Sequence, residues 1–153
     1  MNDRSFGRSP GLPIKVAGAG GELEYLANIV TEGGKPLFFH RLMSKTFNGI
    51  DGKIIDVYEL VSSDGQFWDI LYFDMYHEFN DTQLPDGYKK APALQPGVGI
   101  GCNGRVKNFP VQLLADRYSL LLKAEAIEFK NKFIPPEDHQ DKLEKLTRPR
   151  YFK

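Results

Sequence analysis

Three consecutive runs, PLFFHRLMSKTF (36–47), KIIDVYELVSS (53–63) and QFWDILYFDMY (66–76), are dense in aromatic and β-branched residues. Such side chains suit a pleated, half-buried surface. The connectors carry Asn48-Gly49, Asp51-Gly52 and Asp64-Gly65. Asp-Gly between two strand-like runs is the favoured composition of a two-residue type I′ hairpin turn, so the pattern predicts a three-stranded antiparallel meander. Counting outward from Asp64-Gly65 sets a register: Val61 faces Trp68, Glu59 faces Ile70 and Val57 faces Tyr72. One face then carries Val57, Glu59, Val61 and Ile70, and the other Asp56, Tyr58, Leu60 and Leu71. Both faces are largely apolar, whereas a sheet wet on one side alternates more cleanly. Each face therefore needs cover.

Helical spacing supplies two covers. In ELEYLANIVTEGG (22–34), Leu23, Leu26, Ala27 and Val30 recur at helical intervals, and Gly33-Gly34 closes the segment in the manner of a C-terminal cap. Val111–Phe133 contains no Pro or Gly and follows Pro110, which suits a first helical turn. Such a helix would be roughly 34 Å long. Val111, Leu114, Tyr118, Leu121 and Phe129 form one apolar face, and Leu113, Leu120 and Ile127 gather opposite, so the helix is either central or packed on a partner chain. Ile134-Pro135-Pro136 ends it, and a short charged helix, EDHQDKLEKL, follows. Leu12–Val16 suits a short edge strand, the setting in which Pro13 is tolerated. Residues 80–110 read as a long loop with room for an added edge strand at Val98–Cys102 or Arg105–Lys107. The expected fold is α+β: an antiparallel meander of three to five strands, packed with an N-terminal helix and a long C-terminal helix. Residues 1–11 form a flexible arm, 12–146 one domain, and 147–153 a basic and aromatic tail.

Composition narrows the function classes. With 153 residues, 41% hydrophobic and 26% charged, the chain suits one soluble domain with a real core. Twenty basic residues balance twenty acidic ones, so no overall field recruits nucleic acid or an anionic membrane. The single cysteine, Cys102, excludes an internal disulfide and favours a reducing compartment. The N-terminal stretch lacks an apolar signal core, and no run approaches the length of a membrane span. A cytoplasmic location is expected.

The candidate chemistry is sparse. Gly99, Gly101 and Gly104 spell GxGxxG in GVGIGCNGRVKNFP (97–110), but a dinucleotide fingerprint needs a strand running into the loop and a helix starting within it. The residues before it, APALQP, make a poor strand, and no Gly-Lys-Ser/Thr follows as a P-loop requires. A lesser role survives: Arg105 and Lys107, next to the N-terminus of the 111–133 helix, form an anion-binding candidate. Gly18 and Gly20 in IKVAGAGGELEYL (14–26) resemble a strand–loop–helix entry, yet Leu23 occupies the third glycine position. Cys102 is the candidate nucleophile, with His40 and His77 as candidate bases. Asp74 and His77, three apart on an extended segment, should point to opposite faces, and no HxxxH, HExxH or CxxC spacing exists, so no metal site is expected. In the counted register, Glu59 and Asp74 lie ~13 Å apart along the strands, as do Asp56 and Asp69, too far for a paired-carboxylate site. Glu125 falls among apolar residues of the long helix and calls for a buried partner. No cofactor is implied.

Taken together, the residues point to a non-catalytic protein-binding module such as an inhibitor, immunity-type or accessory protein. Its expected partner is another protein, or a second copy through the 111–133 helix, and not nucleic acid or membrane. The alternative is a small enzyme or an anion- or ligand-binding protein that uses a pocket between the meander and the glycine-rich loop 97–104.

Overall fold

Aromatic and β-branched runs do build the meander. In the computed structural model, which describes residues 5–47, 52–92, 99–113 and 137–147, β3 (Leu37–Thr46), β4 (Ile54–Ser62) and β5 (Trp68–Asp74) pair antiparallel. The counted register holds: Val61 is opposite Trp68, Glu59 opposite Ile70 and Val57 opposite Tyr72. The turn that sets it is of another kind. A type I′ turn needs positive φ at both central residues, and of Asp64 and Gly65 only Gly65 has it, at 73°. The Gly65 amide donates to the Ser62 carbonyl (2.9 Å), and the Ser62 amide donates to the Phe67 carbonyl (2.8 Å). Side chains complete the corner. The Phe67 amide donates to Ser62 Oγ, and the Gln66 amide and the Ser62 hydroxyl both donate to Asp64 Oδ1.

The sheet is mixed rather than purely antiparallel, with strand order β1-β5-β4-β3-β7. At one edge β1 (Ile14–Lys15) runs parallel to β5, and at the other β7 (Ile100–Cys102) runs parallel to β3. Hairpins join only antiparallel neighbours; parallel neighbours require crossovers of a dozen residues or more. Both edge strands meet that condition, because β1 is separated from β5 by most of the meander, and β7 follows β3 after three intervening strands, β4, β5 and the short β6. A separate two-stranded ladder pairs β2 (Ile29–Thr31) with β6 (Tyr88–Lys90).

The first helix, α1 (Gly18–Ala27), begins and ends earlier than its apolar spacing predicts. Ile29-Val30-Thr31 leaves the helix to pair with β6, a choice consistent with β-branched residues, and Gly33-Gly34 turns the chain toward β3 instead of capping a helix. The buried face of α1 accordingly carries Gly21, Glu22, Tyr25 and Leu26. Residues 111–113 are helical, and the remainder of the expected 111–133 helix, with Glu125, lies outside the described residues, as do 148–153 of the tail. The charged segment forms α2 (Glu137–Thr147). Among the described residues no helix is long and apolar enough to cross a membrane.

Both sheet faces are covered. On one, Tyr25, Leu26 and Ile29 pack against Phe39, Tyr58, Leu60, Leu71 and Phe73. On the other, Leu113, Val106 and Phe109 lie over Phe38 and Val61, while Leu143 and Leu146 of α2 lie over Leu42, Val57 and Ile70. Leu42 continues the alternation of Phe38 and His40 into that second layer, and the bulge between Arg41 and Met43 brings Met43 opposite Val57, where it packs against the same layer. From the N-terminal stretch, Phe6 is buried, the Gly7 carbonyl accepts from the Tyr72 amide (2.8 Å), and Arg8 pairs with Asp69 (2.9 Å).

The glycine run serves packing. Gly99 has φ 67°, and a Cβ there would come within 2.2 Å of Ala27 Cα at the end of α1. A Cβ on Gly101 would come within 2.3 Å of the Phe39 ring, whereas one on Gly104 would meet nothing within 4 Å. Gly101→Ala is therefore expected to cost about 1–3 kcal/mol through overpacking, while Gly104→Ala changes stability by less than about 0.5 kcal/mol. Urea denaturation of the two variants checks this, and equal losses would show that the close approach of β7 to Phe39 is not a constraint.

Candidate functional site

β4 is the centre of the sheet and is buried along all but its first residue, yet it carries Asp56, the Tyr58 hydroxyl and Glu59. Alternation along the strand sends Glu59 to one face and Asp56 and Tyr58 to the other. A buried charge needs hydrogen-bonding partners, and each face provides them from a different part of the chain.

On the face beneath α2, Glu59 sits opposite His40 of β3. The Val106 amide donates to His40 Nδ1 (2.9 Å), which leaves the ring proton on Nε2, and Nε2 donates to Glu59 Oε1 (2.7 Å). From α2, His139 Nε2 donates to Glu59 Oε2 (3.1 Å). Phe109 stacks on His40 with ring centroids 3.9 Å apart, and Trp68 meets His139 edge-on at 4.9 Å. Burial pushes the Glu59 carboxyl up, but the hydrogen bonds from His139 and His40 outweigh it and hold the group below its ordinary value. The carboxylate is thus ionised and bidentately held. Imidazole and carboxylate are donors that suit a transition metal, but among the described residues no group of three or more His, Cys, Asp or Glu is arranged to hold one.

The opposite face holds Glu22 of α1 at 0% exposure beside Asp56 at 1%. The Tyr58 hydroxyl lies 3.0 Å from Glu22 Oε1 and 3.0 Å from Asn103 Oδ1. Ser44 donates to Asp56 Oδ1, and Arg41 approaches Asp56 Oδ2 at 3.9 Å. Burial first, then the neighbouring Asp56, push the Glu22 carboxyl up to about 9, against the opposing pull of Tyr58 and Arg41.

The residues singled out by sequence are dispersed unevenly. Cys102 and His40 are brought side by side, as Cα partners in the β3–β7 ladder, and Cys102 packs in the layer containing Val106 and Phe109. Both His40 nitrogens are engaged, one by Val106 and one by Glu59, so in this arrangement the ring has no nitrogen left to act as base on the thiol. His77 lies elsewhere, at the end of β5, where its Nε2 donates to Asp74 Oδ2 (2.9 Å) and Lys53 Nζ reaches the same oxygen (3.3 Å). Asp74 and His77 do not diverge, because the strand ends at Asp74 and the chain turns there: the Tyr76 amide donates to Asp74 Oδ1. Arg105 and Lys107 are exposed in the turn ahead of residues 111–113.

Sequence reasoning missed Glu22, His139 and the pairing of Glu59. Glu22 shares a helix face with Tyr25 and Leu26 at i, i+3 and i+4, a signal that was present in the spacing. His139 falls at i, i+4 and i+7 with Leu143 and Leu146, a narrow stripe in an otherwise charged helix.

Clefts open on the surface formed by the described residues. One of about 240 Å³ is lined by Arg8, Trp68, Asp69, Asp138, His139 and Lys142, and one of about 460 Å³ lies between α1 and residues 80–84, floored by Tyr25, Ile29 and Leu84. Neither is lined by Cys102, His40, His77, Arg105 or Lys107. No family model, curated protein or solved structure matches the chain.

The Glu59 knot carries a prediction. His139→Ala leaves Glu59 with one donor in place of two and is expected to cost about 1–3 kcal/mol, with a change in the near-UV dichroism of Trp68. A depressed carboxyl contributes stability that is present above its unfolded value of 4.5 and lost as the pH falls through the lower folded value. Glu59→Gln should therefore flatten the acid limb of the stability curve below about pH 4.5. An unchanged acid limb would contradict the pairing.

Proposed function

We propose that the protein is a non-catalytic protein-binding module, of the kind that serves as an inhibitor, immunity-type or accessory protein, and that it docks through one end of its sheet. The observation carrying this reading is where exposed apolar surface lies. Phe79 is 80% exposed, Tyr76 53% and Ile54 41%. Ile54 begins β4, and Tyr76 and Phe79 follow the end of β5, its antiparallel neighbour, so all three belong to the same end of the meander. Isolated exposed apolar residues are ordinary, but aromatic side chains gathered at one end and bordered by charged groups have the make-up of an interface core with a polar rim. Lys53, Asp74 and His77, joined to one another at that end, furnish such a rim.

The interior points the same way. Glu59, His40, His139, Asp56 and Asp69 each make contacts to other parts of this chain, an arrangement that suits a scaffold better than a reacting centre. An exposed surface free of such duties is left to do the recognising.

The test compares the native chain with Tyr76→Ser/Phe79→Ser. Both positions are exposed, so the melting temperature should stay within about 2 °C of the native value. Affinity capture from the source cells, read by mass spectrometry, should recover a protein with the native chain that the double variant loses at least tenfold. Equal recovery by both chains, with the fold intact, would eliminate this end of the sheet as the docking surface. If the partner is a second copy, sedimentation should show a concentration-dependent dimer for the native chain alone.

A further inference from the structure

Two buried oxygens lack a donor. Glu22 Oε2 and Asp56 Oδ2 are both shielded from solvent and neither has a hydrogen-bond partner among heavy-atom donors. The two carboxyl groups are nevertheless neighbours in one buried layer: Glu22 bonds the Tyr58 hydroxyl, and Asp56 lies two residues before Tyr58 on the same face of β4, so that each carboxyl bears on the other. Two carboxylates in contact cannot both be ionised at low cost, and two acceptors cannot bond without a hydrogen between them. We propose that Glu22 and Asp56 share a single proton across their facing oxygens, forming an acid–carboxylate clamp that ties α1 to the centre of the sheet and couples the docking of that helix to uptake of one proton.

One arrangement satisfies every atom. Asp56 carries the negative charge, with Oδ1 accepting from Ser44 and Oδ2 facing the Arg41 guanidinium at 3.9 Å. Glu22 carries the proton on Oε2 and donates it to Asp56 Oδ2. Its other oxygen, Oε1, accepts from Tyr58. A phenol has one hydrogen, so Tyr58 cannot also donate to Asn103; with the Asn103 amide presenting its NH₂ group, the side chain donates to Tyr58 instead, and the orientation of an amide is set by its network. The chain of donation then runs Asn103 to Tyr58 to Glu22 to Asp56, from an exposed residue to the buried pair. The ionisable groups facing Glu22 among the described residues are Asp56 and Tyr58 from β4 and Arg41 from β3; within α1 its buried neighbour is Tyr25, whose hydroxyl is turned to the Gln83 carbonyl.

The sign of the linkage follows. The folded chain holds this proton up to about pH 9, whereas the unfolded chain releases it above 4.5. Between those limits the native state binds more protons, so the proton's contribution to stability is full below 4.5 and declines as pH rises toward 9. Any partner or ligand that lifts α1 from the sheet would do so with release of a proton and would act more readily at higher pH.

Two measurements test the clamp. In the folded native chain at pH 7, infrared difference spectroscopy should show the carbonyl stretch of a protonated carboxyl group, shifted by deuteration and absent from Glu22→Gln. Its absence from the native chain would overturn the proposal without recourse to any variant. Glutamine preserves the shape and donates an N–H to Asp56 without titrating. The ratio of the unfolding constants of native chain and Glu22→Gln should rise up to tenfold per pH unit between pH 6 and 8. A ratio independent of pH would likewise refute a shared proton.

Discussion

The requirement that a buried charge be answered by a partner organises this molecule around β4. The strand lies at the middle of the sheet with neighbours on both sides, and its side chains are enclosed on both faces. Placing Asp56, Tyr58 and Glu59 in sequence along such a strand commits each face to a polar centre within an apolar layer. Desolvation of an unpaired carboxylate would cost several kcal/mol. The helix over each face therefore brings a polar side chain as well as apolar ones: Glu22 among Tyr25 and Leu26 on α1, and His139 ahead of Leu143 and Leu146 on α2. Apolar area holds the helices down, and the polar groups select where they sit.

Much of the sheet was legible in the chain. The Asp64-Gly65 corner placed β4 against β5 in the observed register even though the turn adopts another geometry, because any tight corner with the same residue parity yields the same opposing pairs. What local pattern could not show was anything decided by contacts distant in sequence. The parallel pairing of β1 and β7 depends on crossovers, and His139 reaches Glu59 across 80 residues. His40 opposite Glu59 required the β3–β4 register, which a longer connector and the bulge at Leu42 concealed. The early end of α1 was a contest between helical spacing and β-branched residues, settled by a ladder whose other strand lies at Tyr88–Lys90.

The glycine run illustrates how a motif acquires meaning from its surroundings. The spacing of Gly99, Gly101 and Gly104 matches a phosphate-binding loop, but two of the three glycines are spent on approach: one to the end of α1, one to the Phe39 ring. Cys102 follows them into the sheet beside His40, whose ring is held by the Val106 amide and stacked under Phe109. Immobilising an imidazole at both nitrogens and over its plane makes it a good spacer and a poor proton carrier. The same constraint withholds His40 from the Cys102 thiol beside it.

The terminal strands of the sheet have a further consequence. β1 is two residues long and β7 three, while the long strands β3, β4 and β5 are all interior. Unpaired backbone amides along a long outer strand are templates for another chain, and very short outer strands are one of the ways natural sheets withhold that template. Gly7 reinforces the arrangement by occupying the Tyr72 amide beyond the reach of β1. Among the described residues, however, each outer strand covers only part of its long neighbour: β7 pairs with Phe38, Phe39 and His40 of β3, and β1 with Phe73 and Asp74 of β5. Exposed side chains along these borders can change without disturbing the ladder beneath, because the ladder is built from backbone groups.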